Sequence, residues 1–388
     1  MATAGDDEEI QAPHAVPDIA IPPRRLDSLT GLRFLAALGV LLIHSVKNPS
    51  LQTPLTVIPG LQSVASVGYL GVTFFFVLSG FVLTWSARRD GHAKSFYQKR
   101  FARVAPLSLA TWLAFFLAII VVGTHLSATT SILTLFLLQS WVPHSTVYFG
   151  LNGVTWSLSC EAFYYLLHPW ILRRMPRSQR GSLIVAGSAL GASLIVTIIF
   201  MNTTAIFANS QDLWVFPIFG LGAFVAGMGL AEAMKCGLRS PIPLSLALVL
   251  AALSYGLLAV LANSGTAIFS TGLPRTLASV IFMPFVGLLI LAAATADLGE
   301  QRGFLSRRAM VRLGEWSFAL YMTHELLLRA AIQVGGFTPR SGFIINVAVE
   351  LTFVLTAIAV AGLVYRFYEE PLERWLRPAN DRIRLAAT

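Results

Sequence analysis

The sequence predicts an all-α integral membrane protein: a bundle of about ten transmembrane helices with one short re-entrant or interfacial helix. Three observations carry that expectation. Apolar residues make up 55% of the 388 and charged residues only 12%, whereas a soluble chain carries about 25% charge. Mean hydropathy is +0.70. Apolar runs of bilayer length, about 17–25 residues each, recur along the chain. The net charge of +9 and pI of about 9.9 do not indicate a nucleic-acid partner. The positive charge sits in the connections between apolar runs, as membrane topology requires.

Taken in order, residues 1–26 are acidic at Asp6, Asp7, Glu8 and Glu9, then rich in proline. They read as a disordered cytoplasmic arm. No cleaved signal peptide is expected, because such peptides carry a positive segment within the first residues and a short apolar stretch after it, whereas the first apolar run here starts near residue 29. The ten runs are 29–46, 68–87, 104–123, 154–172, 182–201, 214–232, 243–262, 275–296, 316–334 and 343–365. Ile132–Trp141 is too short to cross, and Trp141, Tyr148 and Phe149 favour interfacial depth there. With the N-terminus inside and ten crossings, three of the 28 Lys and Arg residues lie outside (Lys47, Arg275, Arg340). Two lie within spans (Arg33, Arg329) and the other 23 are cytoplasmic. A crossing at 132–141 would invert every later loop and destroy that asymmetry. Both termini are therefore expected in the cytoplasm. Residues 27–374 form the membrane domain, and 375–388 a cytoplasmic tail. The two cysteines, Cys160 and Cys236, supply no disulfide framework.

Ionisable groups at bilayer depth cost at least about 2.5–3.5 kcal/mol each on insertion scales, so each is a candidate for function. Arg33 and His44 are eleven residues apart, which places them on one helix face about 16 Å apart along the axis. A cation low and an imidazole high on one stripe suit a long ligand, anionic at one end and reactive at the other. The plainer reading has Arg33 snorkelling to the surface. Arg100 and Arg103 share a face at i, i+3 near the cytoplasmic boundary. Arginine at a helix N-terminus opposes the dipole, so a phosphate-bearing ligand is one way to neutralise the pair; the positive-inside rule alone is the other. Glu161 lies about 10 Å deep in the fourth run and is expected to hold His44 as a general base, or else to be hydrogen-bonded to Trp156, Ser157 or Ser159. Arg329 and Glu350, at matching depth, are expected to form a structural ion pair. The spacing of His324 and Glu325 decides nothing. Spacings typical of metal ligands are missing, so no metal is expected.

Several segments together resemble the acyltransferase-3 family of multi-span membrane acyltransferases. They are Arg33-x10-His44, GVTFFFVLSGF from Gly71 to Phe81, YQKRFARVAP with Arg100 and Arg103, WSLSCEAFYYLLHP from Trp156 to Pro169, SFALYMTHE around His324, and YRFYEEP ending at Pro371. Each is weak alone; their order over about 27–374 is specific. The resemblance implies transfer of an acyl group, commonly acetyl, from acyl-CoA to a hydroxyl. It makes His44 catalytic with Glu161 as its partner, and Arg33, Arg100 and Arg103 the CoA site. Many relatives carry a second acid where this chain has Ala162, which argues against a two-carboxylate mechanism. Some carry a soluble C-terminal domain; here about seventeen residues follow Pro371, so the membrane domain is expected to handle the acceptor.

The expected acceptor is a secondary metabolite such as a macrolide-type antibiotic, on the slight ground of an external surface poor in charge and containing Trp141, Tyr148 and Phe149. A cell-surface or lipid-linked glycan is the alternative. A secondary transporter with an Arg–His–Glu relay is the competing class, weakened by the lack of an internal repeat. A purely structural subunit leaves the Arg33/His44 stripe unexplained. The preponderance of Arg over Lys points to a bacterial cell membrane in a GC-rich organism.

Overall fold

The computed structural model describes residues 25–46, 53–58, 60–87, 91–123, 125–202, 210–264, 274–335 and 337–378. The expected arm, apart from Arg25 and Leu26, and most of the expected tail lie outside them. Every regular element among the described residues is helical, as backbone polar groups in a hydrocarbon layer demand. The order is α1 (Asp27–Val46), α2 (Leu61–Ala65), α3 (Leu70–Ser86), α4 (Ala93–Val122), α5 (Ala128–Leu135) and α6 (Ser145–Tyr148). Next come α7 (Trp156–Arg174), α8 (Gln179–Asn202), α9 (Ser210–Val215), α10 (Pro217–Lys235) and α11 (Leu244–Asn263). The chain continues through α12 (Arg275–Leu298), α13 (Arg308–Glu315), α14 (Ser317–Gln333), α15 (Phe343–Val364) and α16 (Glu370–Leu376).

Eight of these segments are long and apolar enough to cross a membrane. The other two expected runs fold as α7 and α14, with 19 and 17 residues. They fall short because they carry polar side chains: Glu161 and His168 on one, His324, Glu325 and Arg329 on the other. The expected short segment is α5, eight residues and about 12 Å long, capped by Ser127, whose hydroxyl accepts from the Thr130 amide at 3.1 Å. It cannot cross. A 3-10 turn at Gln139–Trp141 follows, and Tyr148 then anchors the connection by donating to Asp212 at 2.7 Å. Burial, reinforced by that carboxylate, raises the Tyr148 phenol above its ordinary pKa.

The bundle has an inside and an outside. Helices α3, α10 and α12 bury most of their surface, whereas α4, α8, α11 and α15 leave most of theirs exposed. Leu109, Leu113 and Leu117, one turn apart on α4, are exposed, which lipid tolerates as water does not. At the centre α3 crosses α10 backbone to backbone. A Cβ on Gly80 would overlap the Phe224 carbonyl, and one on Gly227 the Val77 carbonyl. Close approach of this kind is what small residues permit in membrane helices, and it accounts for Gly80 near the end of the Gly71–Phe81 segment.

Helix α4 corrects one expectation. It begins at Ala93, eleven residues before the apolar run, and continues unbroken through Pro106 to a left-handed cap at Gly123. Arg100 and Arg103 are thus two to three turns inside a helix, and the dipole argument for a counter-anion at its N-terminus does not apply.

Candidate active site

Two cavities abut inside the bundle, and they divide the expected residues between them. The inner one, about 160 Å³, is lined by Arg33 of α1, Ser79 of α3, Arg100 and Arg103 of α4, and Ser157, Glu161 and Tyr165 of α7. The outer one, about 420 Å³, is lined by His44, Trp156, Trp214, Arg275, Glu325 and Arg329 among others. Val72 and Tyr321 line both. The Arg33/His44 stripe expected on α1 therefore spans the two, with the guanidinium in one cavity and the imidazole in the other.

The three inner arginines differ in their partners. Arg103 donates through Nη1 to Glu373 at 2.8 Å and also to Glu369. Those carboxylates are brought over by a π-helical turn at Tyr365–Glu369 that links α15 to α16. A π-turn rotates the helix face that follows it, and here it aims both glutamates at α4. Arg103 is therefore neutralised by the chain itself. Arg33 and Arg100 are not: among the described residues neither has a carboxylate within ion-pair distance, and Nε of Arg100 is buried without a hydrogen-bond partner. The function of YRFYEEP was missed at the sequence level. Its signal was the i, i+4 spacing of Glu369 and Glu373, which puts two acids on one helix face.

The expected pairing of Glu161 with His44 is not what the structure shows. Glu161 lines the arginine cavity, where Oε2 accepts from the Tyr165 hydroxyl at 2.6 Å; Tyr165 thus takes the place expected for Trp156, Ser157 or Ser159. The difference lies along the helix: Trp156 at the start of α7 lines the cavity of His44, and Glu161, five residues or about 7.5 Å further on, lines that of Arg33 and Arg100. His44 instead meets His324 of α14, whose Nε2 lies 3.3 Å from Nδ1 of His44. The two rings are edge to face, 5.0 Å apart. Nδ1 of His44 is also 2.7 Å from the Val40 carbonyl, and Nδ1 of His324 is 3.0 Å from the Leu320 carbonyl. His324 is 1% exposed. Sequence singled it out by depth, but no spacing could connect residues 280 apart.

A second expected pair is also rearranged. Arg329 pairs with Glu325, one turn away on its own helix, and not with Glu350. Glu350 is buried on α15, and neither of its carboxylate oxygens has a hydrogen-bond partner among the described residues. An i, i+4 partner is always within reach on a helix, which is why the local pair prevails over the inter-helix one. Aromatic and aliphatic side chains make up most of the remaining wall of the outer cavity. Trp156 and Trp214 lie 4.4 Å apart, and Arg275 rests over the rings of Tyr69 and Trp214. Oε2 of Glu325 is buried there without a hydrogen-bond partner among the described residues.

Fold and composition together define an integral membrane protein, and comparison with known families makes it an acyltransferase. A family profile described as an acyltransferase domain matches residues 26–366. The chain belongs to the acyltransferase-3 family. It is 33% identical over 385 residues to Acyltransferase MdmB of Streptomyces mycarofaciens, covering 92% of this chain and 94% of that one. It is 24% identical over 384 residues to the O-acetyltransferase OatA of Staphylococcus aureus, covering 91% of this chain but 58% of the relative. Nodulation protein 10 of Rhizobium leguminosarum is 25% identical over 283 residues, covering 68% and 73%. No solved structure matches the chain.

Proposed function

We propose that this protein is a bacterial plasma-membrane O-acyltransferase that moves an acetyl or short acyl group from acyl-CoA to a hydroxyl of a secondary metabolite such as a macrolide-type antibiotic. The observation that carries the donor is the charge imbalance of the inner cavity. Arg33 and Arg100 face it without ion-pair partners among the described residues while His44 opens on the adjoining cavity, and Val72 and Tyr321 line both. Guanidinium forks match phosphate oxygens, so the nucleotide end of CoA belongs at Arg33 and Arg100, on the cytoplasmic side. Arg103, held by Glu369 and Glu373, frames that cavity, and Glu161 with Tyr165 orients its wall. The pantetheine arm then passes Val72 and Tyr321 and brings the thioester to His44.

At His44 the acceptor hydroxyl gives its proton to the imidazole as its oxygen attacks the thioester carbonyl. The C–S bond breaks and the CoA sulfur leaves with that proton. Neither a metal nor a second carboxylate is needed for this balance. The aromatic wall of Trp156, Trp214 and Tyr69 supports an acceptor with apolar area. The 33% identity to Acyltransferase MdmB over nearly its full length supports the natural-product reading above the glycan one.

The deciding experiment is transfer from radiolabelled acetyl-CoA by purified protein in lipid nanodiscs, with a panel of macrolide lactones in one arm and lipid-linked oligosaccharides in the other. Label should appear in a lactone, and His44→Ala should abolish it with fold and expression intact. Label in the oligosaccharides alone would replace the acceptor class. Full turnover by the alanine variant would remove His44 from the mechanism.

A further inference from the structure

Resting on that reading, we propose that His324 is a positioning residue for acyl transfer. Its neutral imidazole takes the place that a carboxylate holds beside many catalytic histidines, and it leaves Nε2 of His44 as the base. The hydrogen bonds decide the protonation pattern. A backbone carbonyl only accepts, so Nδ1 of His324, 3.0 Å from the Leu320 carbonyl, carries the proton and Nε2 keeps its lone pair. The same argument protonates Nδ1 of His44, 2.7 Å from the Val40 carbonyl. That N–H is then shared between the Val40 oxygen and the bare Nε2 of His324 at 3.3 Å. The pattern is self-consistent: each ring has one donor and one acceptor, and no two lone pairs or two protons face each other. The opposite tautomer at either ring would set a lone pair against a carbonyl oxygen.

Two consequences follow for the reaction. First, Nε2 of His44 is the nitrogen left with a free lone pair, on the ring that lines the outer cavity. Second, when it takes the acceptor's proton, the positive charge on the ring strengthens both bonds at Nδ1. The carboxylate expected from sequence to serve His44, Glu161, lines the other cavity. The neighbouring Glu325 is tied to Arg329. Packing holds the His324 ring in place. It is 1% exposed, and Tyr321, one turn back on α14, packs its ring 6.1 Å away.

The proposal is tested on the full protein with 15N-labelled histidine in lipid nanodiscs, without substrate. A scalar coupling across the N–H···N bond should connect Nδ1 of His44 to Nε2 of His324, and Nε2 of His44 should resonate as the unprotonated nitrogen. The coupling should vanish in His324→Phe, which keeps a ring of similar size. Turnover on acetyl-CoA with the macrolide panel should fall roughly 10- to 100-fold in kcat for His324→Phe, the range for losing one hydrogen bond to a charged group. KM for acetyl-CoA should stay unchanged, and His324→Gln, which restores an acceptor atom, should recover part of the loss. A protonated Nε2 on His44, or kcat within about twofold of the parent in His324→Phe, would overturn the assignment. Absence of turnover in the parent, with the coupling present, would instead count against the acyl-transfer reading and leave the imidazole pair standing.

Discussion

Arg33 and Arg103 face the same cavity with the same side chain, yet their neighbours give them different work. Arg103 holds two buried acids: Glu369 is 2% exposed and Glu373 9%. Glu373 also pairs with Arg377, but removing Arg103 takes from the buried Glu369 its ion-pair partner among the described residues, so Arg103→Gln should cost about 3–5 kcal/mol of stability, read as a lowered Tm in detergent. Arg33 compensates no such pair. Arg33→Gln should leave Tm close to the parent and raise KM for acetyl-CoA by roughly 10- to 100-fold, the loss of one charge-assisted bond. A large fall in Tm with an unchanged KM would make Arg33 a structural cation. The same contrast separates Glu325, paired to Arg329 on its own helix, from Glu350, which is buried and has no ion-pair partner among the described residues.

At the scale of elements, the two expected runs that are not among the eight apolar spans furnish much of the site beside α1 and α4. Helix α7 supplies Glu161, Tyr165 and Ser157 to the inner cavity; α14 supplies Tyr321 to both cavities, Glu325 to the outer one and His324 behind His44. Their polar faces are tolerated because they turn toward protein and not toward lipid. The crossing that holds the core beside them should be intolerant. Gly80→Ala puts a methyl into the Phe224 carbonyl, and overpacking of this kind costs about 1–3 kcal/mol. Gly187→Ala on α8, where no atom lies within 4 Å of the added Cβ, should be neutral or slightly stabilising. Thermal scans of the pair check this; equal Tm values would mean that α3 and α10 can separate freely.

For the whole molecule, orientation is the quantity to measure, and the cysteines report it. Cys236 is exposed just after α10, whereas Cys160 is buried in α7. With the basic connections inside, a membrane-impermeant maleimide should label Cys236 in inverted vesicles and not in intact spheroplasts. Labelling from outside would reverse the assignment and put the arginine cavity on the wrong face for a cytoplasmic donor. The bundle itself was legible from sequence: run length and apolarity located the spans, and eleven residues at about 100° each put Arg33 and His44 on one stripe. Those are local quantities, set by helix periodicity and by the cost of polar backbone in lipid. What met that stripe was not local. The placement of α7 put Glu161 among the arginines, a π-turn at the end of α15 delivered Glu369 and Glu373 to Arg103, and packing of α14 on α1 brought His324 to His44. Apolar pattern alone cannot choose among such pairings, because lipid solvates one apolar face as well as another. Only the packed bundle, where small residues let backbones touch and each buried polar atom finds or lacks a partner, decided them.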